Sequence, residues 1–197
     1  MGRPSKPIIT KELAAKAALS VIDRQGIAGM SLQLVAQELG VKAPSLYYHF
    51  ENKAELLAEV VRYILLEASI SEEEHFDNWR DALVDLTLSI RESILLHPRA
   101  APLLMDFFPR HLILQTYEFW ISKFDIPVEK RMMVVDGMEK LTFGSAMLGA
   151  MSRVNGKDPM PSFSPTQFPH LNAATTANQL DETAMFVATA KAFLSAF

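Results

Sequence analysis

The chain has 197 residues and a mass of 22.0 kDa, enough for one ordinary domain or for a small domain joined to a larger one. Its 49% hydrophobic and 21% charged residues describe a globular chain, and the absence of cysteine excludes disulfides, thiolate catalysis and cysteine-ligated zinc. The net charge of −4 hides an asymmetry: residues 1–53 carry seven Lys and Arg against four Asp and Glu, so a start at +3 precedes a remainder at −7, which fits either a polyanionic partner or an ordinary surface.

The opening Met1-Gly2-Arg3-Pro4-Ser5-Lys6 leads into no apolar run, so the reading expects no secretory signal and a cytoplasmic chain. Strand signals are poor and helical periodicity is common. Leu13, Ala17 and Val21 with Ile22 form one stripe, and Gly26 suits a C-terminal cap. Ser31 caps a helix over 32–39, and Pro44 fits the first turn of a short helix ending near Phe50. Asn52, with Glu55 as capping-box partner, opens a helix to about Ser69. After an acidic connection at 71–77, Trp79, Leu83, Leu86, Ile90 and Ile94 mark one long face that stops at His97-Pro98. Further helices are expected near 100–107, 110–124, 128–152 and 176–196, punctuated by Pro109 and Pro127, with a Pro-rich loop over 153–174. The most apolar window, 132–151, holds Asp136, Glu139 and Lys140, which argues against a membrane span. The expected fold is all-α: a small three-helix head over residues 1–54 and a larger helical body over residues 55–197.

The informative stretch is 31–50, SLQLVAQELGVKAPSLYYHF. Val35 and Leu39 share one face of the first helix, Ala36 is small where a second helix would cross, and Gly40 accepts the φ of a sharp turn. Val41 plugs that turn, and Leu46 and Phe50, four apart, anchor the second helix. These spacings predict a helix-turn-helix. With Leu46 and Phe50 inward, Ser45, Tyr47, Tyr48 and His49 are left outward. Hydroxyls and aromatic rings there suit phosphates, base edges and thymine methyls, and Lys42 and Lys53 flank the helix where phosphates would lie. Tyr48 is expected to touch DNA and Tyr47 to pack its ring while its hydroxyl meets phosphate; His49 suits either role. Arg3 and Lys6, beside Pro4 and Pro7, form an arm that either reaches a minor groove or is a solvated tail.

Residues 10–57, with LGVKAPSLYYHFENKAELL at their heart, resemble the DNA-binding domain of the TetR family of transcriptional regulators. The resemblance implies an all-α homodimer whose third helix enters a major groove of double-stranded operator DNA, with a body that supplies dimer contacts and a small-molecule pocket. It places Ser31, Pro44, Ser45, Tyr47, Tyr48, His49 and Lys53 on DNA-contacting positions. Leu32-Gln33 stands where some members have threonine and arginine, so base readout by Gln33 stays open. Trp79, LLHP at 95–98 and FPHL at 168–171 echo the tetracycline-repressor subgroup. Leu104 and Phe107 occupy the positions of that subgroup's metal-binding histidine and nearby threonine, so no metal and no other cofactor is expected.

The body is rich in Met and Phe, which suits a pocket that tolerates varied apolar or aromatic ligands or else an ordinary helical core. Leu86, Ile90, Leu104, Phe107, Trp120 and Met138 are the candidate lining residues, and His111 and His170 each offer one polar contact. Gly137, Gly144, Ser145, Ala146, Gly149 and Ala150 in the 128–152 helix imply close backbone approach, either to a dimer mate or within the subunit. No His-x-x-x-His, phosphate loop or nucleophile elbow is present, so an enzyme is not expected. A ligand-released repressor is the reading these features favour. A helix-turn-helix regulator controlled by a protein partner, or with no effector, is the alternative.

Overall fold

The computed structural model describes residues 9–67, 77–108 and 114–197. The basic arm with Arg3 and Lys6, most of the acidic connection, and His111 lie outside these residues. Ten helices are described in the order α1 (Lys11–Gly29), α2 (Leu32–Glu38), α3 (Ala43–Tyr47), α4 (Lys53–Glu67), α5 (Trp79–Leu96), α6 (Leu103–Phe107), α7 (Leu114–Lys123), α8 (Val128–Asn155), α9 (Pro169–Ala177) and α10 (Glu182–Leu194).

Local chemistry sets the helix ends. Thr10 Oγ1 accepts from the Leu13 amide at 3.1 Å and opens α1. Gly26 breaks α1 with φ 75° and ψ 171°, a conformation that side chains with a Cβ resist, and one more turn follows. Ser31 Oγ accepts from the Leu34 amide at 3.2 Å at the head of α2. Gly40, at φ 66°, lets the Val41 amide turn back to the Ala36 carbonyl at 2.9 Å. At α4, Asn52 Oδ1 accepts from the Glu55 amide, while the Glu55 carboxylate accepts from the Glu51 amide. That second bond falls one residue upstream of the usual capping box.

Three predictions need correction. Leu13 is 45% exposed, because Ala14, Ala15, Ala18 and Leu19, with Ala17, Val21 and Ile22, form the inward face of α1. The 153–174 loop is not loop throughout, since α9 begins at Pro169, where proline's fixed φ suits a first turn. The last helix starts at Glu182, not 176, because Asp181 Oδ1 caps it through the Ala184 amide at 2.7 Å.

Packing forms two cores. The first joins α1–α4 to Ile94 and Leu95 of α5, to Ala100, Ala101, Leu103 and Leu104, and to Ala146 and Ala150 of α8. The second gathers Trp79, Leu83 and Leu86 of α5, Trp120 and Phe124, Val134 and Met138 of α8, and Ala190 and Leu194 of α10. Ile90 packs against both. Between α5, α8 and α10, the fully buried Arg91 donates through Nε to Ser145 Oγ at 2.8 Å and through Nη2 to Glu182 Oε1 at 2.5 Å. A buried guanidinium is tolerable only with such partners.

The α8 glycines divide. A Cβ at Gly137 would overlap the Phe193 ring, and one at Gly149 would stand 2.5 Å from Glu182 Oε1 and 3.0 Å from Leu95 Cδ2. Both are required by packing within the subunit. Gly144 faces open space.

Candidate nucleic-acid interface and ligand cavity

The inward side of α3 and of the turn that follows it is fixed first. Leu46 is wholly buried, Phe50 nearly so, and both join Val35 and Ala36 in the first core. Helical geometry then forces Pro44, Ser45, Tyr47 and Tyr48 outward, and all four are exposed. Tyr48 is 89% exposed and Tyr47 58%, so the expected packing of the Tyr47 ring is at most partial. His49 is half-buried, with its ring edge-on to Tyr48 at 5.6 Å between centroids. Lys42 and Gln33 are exposed beside these groups, and Ser31 is engaged as the α2 cap.

Lys53 also makes contacts within the fold. Its ammonium donates to the carbonyls of Ile27 at 3.0 Å and Met30 at 2.6 Å, closing the end of α1 against the start of α4. Its position is structural first, with one of three donors left over.

Acidic groups around this surface are held by cations or amides. The Arg24 guanidinium holds Glu38 below the usual carboxylate range, aided by Ser20, and ties α1 to α2. The Glu51 amide, then Lys11, does the same for Glu55. These pairs offset negative charge at the ends of α2 and α4, on either side of α3.

The second candidate site is a cavity of about 170 Å³ between α4, α5, α7 and α8. Leu86, Ile90, Trp120 and Met138 line it, with Phe108, Tyr117, Phe124 and Phe143. Leu104 and Phe107 do not. Leu104 is 4% exposed in the first core and Phe107 packs against that core, because the short α6 turns its apolar side toward α4. Sequence reading missed Arg62, Thr87, Glu139 and Thr142 in the wall. A polar residue every three or four positions reads as a solvated face until the helix opposite is known. His170 lies in α9, exposed and away from the cavity. Among the described residues, no group of three or more His, Cys, Asp or Glu is placed to hold a metal ion.

Head and body also meet at a polar contact. His97 Nδ1 lies 2.7 Å from Asp23 Oδ2, and Arg99 Nη1 donates to the carbonyls of Asp23 at 3.2 Å and Arg24 at 2.8 Å. From the sequence, His97 was legible only as part of a helix stop.

Residues 15–60 match the family model described as bacterial regulatory proteins, tetR family. An HTH-type transcriptional regulator of Saccharopolyspora erythraea is 30% identical over 99 residues, 50% of this chain and 42% of that protein. The tetracycline repressor protein class A from transposon 1721 of Escherichia coli is 35% identical over 81 residues, 41% of this chain and 38% of that protein. The chain thus matches about two fifths of the length of these curated relatives. Over whole chains, the structure of a TetR transcriptional regulator from Streptomyces coelicolor superposes with a TM-score of 0.78 at 19% identity, covering 96% of this chain and 97% of that one. The head thus matches the tetR family model, and the chain as a whole shares the all-helical fold of a TetR transcriptional regulator.

Proposed function

We propose that the protein is a sequence-specific DNA-binding transcriptional regulator, a homodimer that leaves an inverted-repeat operator when a small apolar or aromatic molecule fills its cavity. In this reading residues 1–54 contact DNA, and residues 55–197 hold the effector and the dimer contacts. The observation that carries it is the outward face of α3, where Tyr47 and Tyr48 stand exposed on a helix whose other side is locked by Leu46 and Phe50. An α-helix so presented fits a major groove, and Ser45, Tyr47, Tyr48 and His49, with Gln33 and Lys42 beside them, supply the contacts.

The cavity supports a small-molecule effector over a protein one, because it is concave, apolar and walled by aromatic rings. A route to the DNA face is present in α4. Arg62, Leu65 and Leu66 line the cavity, and Lys53, at the other end of the same helix, holds the end of α1. A ligand that favours one tilt of α4 changes the spacing of two heads in a dimer, provided it binds the two states unequally. Exposed Met132, Met133, Leu148 and Met151 on α8 supply an apolar surface for the dimer mate. That a curated relative is named a tetracycline repressor agrees with repression as the output.

The test is selection from a random duplex-DNA pool by the purified chain at about 0.15 M salt. The expected result is an enriched inverted repeat with half-sites a whole number of helical turns apart. Retention of DNA without enrichment, lost as salt rises, would overturn specific readout.

A further inference from the structure

The polar groups in the cavity wall are not equivalent. Thr87 Oγ1 donates to the Leu83 and Val84 carbonyls at 2.8 and 3.1 Å, and Thr142 Oγ1 to the Met138 carbonyl at 2.7 Å, so both hydroxyl protons are spent on their own helices. Arg62 is bound to Glu59, whose side chain is only 14% exposed, so the guanidinium is neutralised beside the cavity. Tyr117 donates its hydroxyl to Glu139 Oε1. Glu139 is different. Among the described residues no cation lies within ion-pair distance of its carboxylate, and an ionised carboxylate accepts hydrogen bonds but donates none. The wall therefore holds a half-buried carboxylate, steadied by Tyr117 and sharing the cavity with Trp120, Phe124 and Phe143, with no counter-charge among the described residues.

We infer that the cavity takes a cationic aromatic or lipophilic amine, its ammonium on Glu139 and its apolar body among the rings. Three features select this class. A desolvated carboxylate gains most from a partner of opposite charge. Aromatic faces attract cations electrostatically. The apolar lining favours a mono- or bicyclic ring over a hydrated polyamine, and about 170 Å³ is slightly more than the roughly 150 Å³ cavity known to hold benzene. An anion would face Glu139 directly. This inference rests on the cavity being the effector site.

The experiment is calorimetric titration of the full chain at neutral pH with three probes sharing one ring system: 1-naphthylmethylammonium, 1-naphthalenemethanol and 1-naphthoate. The cation is expected to bind at least about tenfold more tightly than the neutral alcohol, and the anion weakest, as a charge-assisted hydrogen bond predicts. Glu139→Gln should remove the advantage of the cation and leave the alcohol unchanged. Equal binding of cation and alcohol by the wild-type chain, or tightest binding of the naphthoate, would overturn the charge assignment and leave the cavity as an apolar site. Binding of none of the three would overturn both the assignment and the cavity as effector site. The wild-type comparison decides between these outcomes even if the Gln variant fails to fold.

Discussion

Tyr48 and Lys53 sit five residues apart in opposite surroundings, the first exposed and the second hydrogen-bonded within the fold. Tyr48 is almost wholly exposed and carries little of the fold, so Tyr48→Ala should leave the melting temperature unchanged. If its ring meets bases, operator affinity should fall by about 1–3 kcal/mol in fluorescence anisotropy; wild-type affinity would remove it from the interface. Lys53 does the reverse. Its two bonds to the Ile27 and Met30 carbonyls join α1 to α4, so Lys53→Ala should cost about 1.5–3 kcal/mol in chemical unfolding. A variant of unaltered stability whose DNA binding merely loses about one unit of salt slope would instead make Lys53 a phosphate contact. This difference was not legible in the sequence. Lysine after a short helix reads as a surface cation, and only the fold brings the Ile27 and Met30 carbonyls beneath it. Tyr48 was legible, because Leu46 and Phe50 fix the inward side and leave nowhere else for it to point.

At the scale of the element, caps and glycines carry the consequences. Glu55 is held below its ordinary value of 4.5, first by the Glu51 amide and then by Lys11. The native state thus binds fewer protons than the unfolded one near that pH, and this stabilisation is complete above about 4.5 and disappears as pH falls through the depressed native value. Thermal melts of the wild type and Glu55→Gln should differ at pH 7 and converge toward pH 3; a constant gap would remove the linkage. The α8 glycines offer a sharper contrast. Gly149→Ala drives a Cβ into Glu182 and Leu95 and should destabilise the fold by roughly 1–3 kcal/mol. Gly144→Ala meets nothing and should match or exceed the wild type, since alanine is the better helix former. Equal melting of the two variants would show that Gly149 is not packed as described. Helices with strong caps and clear stripes were readable in chain order. The α9 helix was not, because none of its residues is buried, and periodicity has nothing to report where no face is covered.

For the molecule as a whole, the all-helical architecture was legible in apolar spacing, and of the six candidate lining residues Leu86, Ile90, Trp120 and Met138 face the cavity while Leu104 and Phe107 join the first core. Apolar residues on a short helix give no sign of which of two cores they join. The buried Arg91 was equally hidden, since its partners Ser145 and Glu182 lie 54 and 91 positions away.

The shared core has a consequence for how such chains recombine. The side chains that seat α1–α3 are not confined to those helices: Leu56, Val60 and Ile64 of α4, Ile94 and Leu95 of α5, and Ala100, Ala101, Leu103 and Leu104 complete the same core. A head transplanted onto a foreign body with a junction at residue 54 would leave that seat unmatched. Chimeras are expected to fold when α4 and the α5–α6 corner travel with the head, and to aggregate when they do not. Soluble yield of the two designs measures this directly. Inheritance of a DNA specificity in this architecture therefore moves as a block larger than the part that touches DNA.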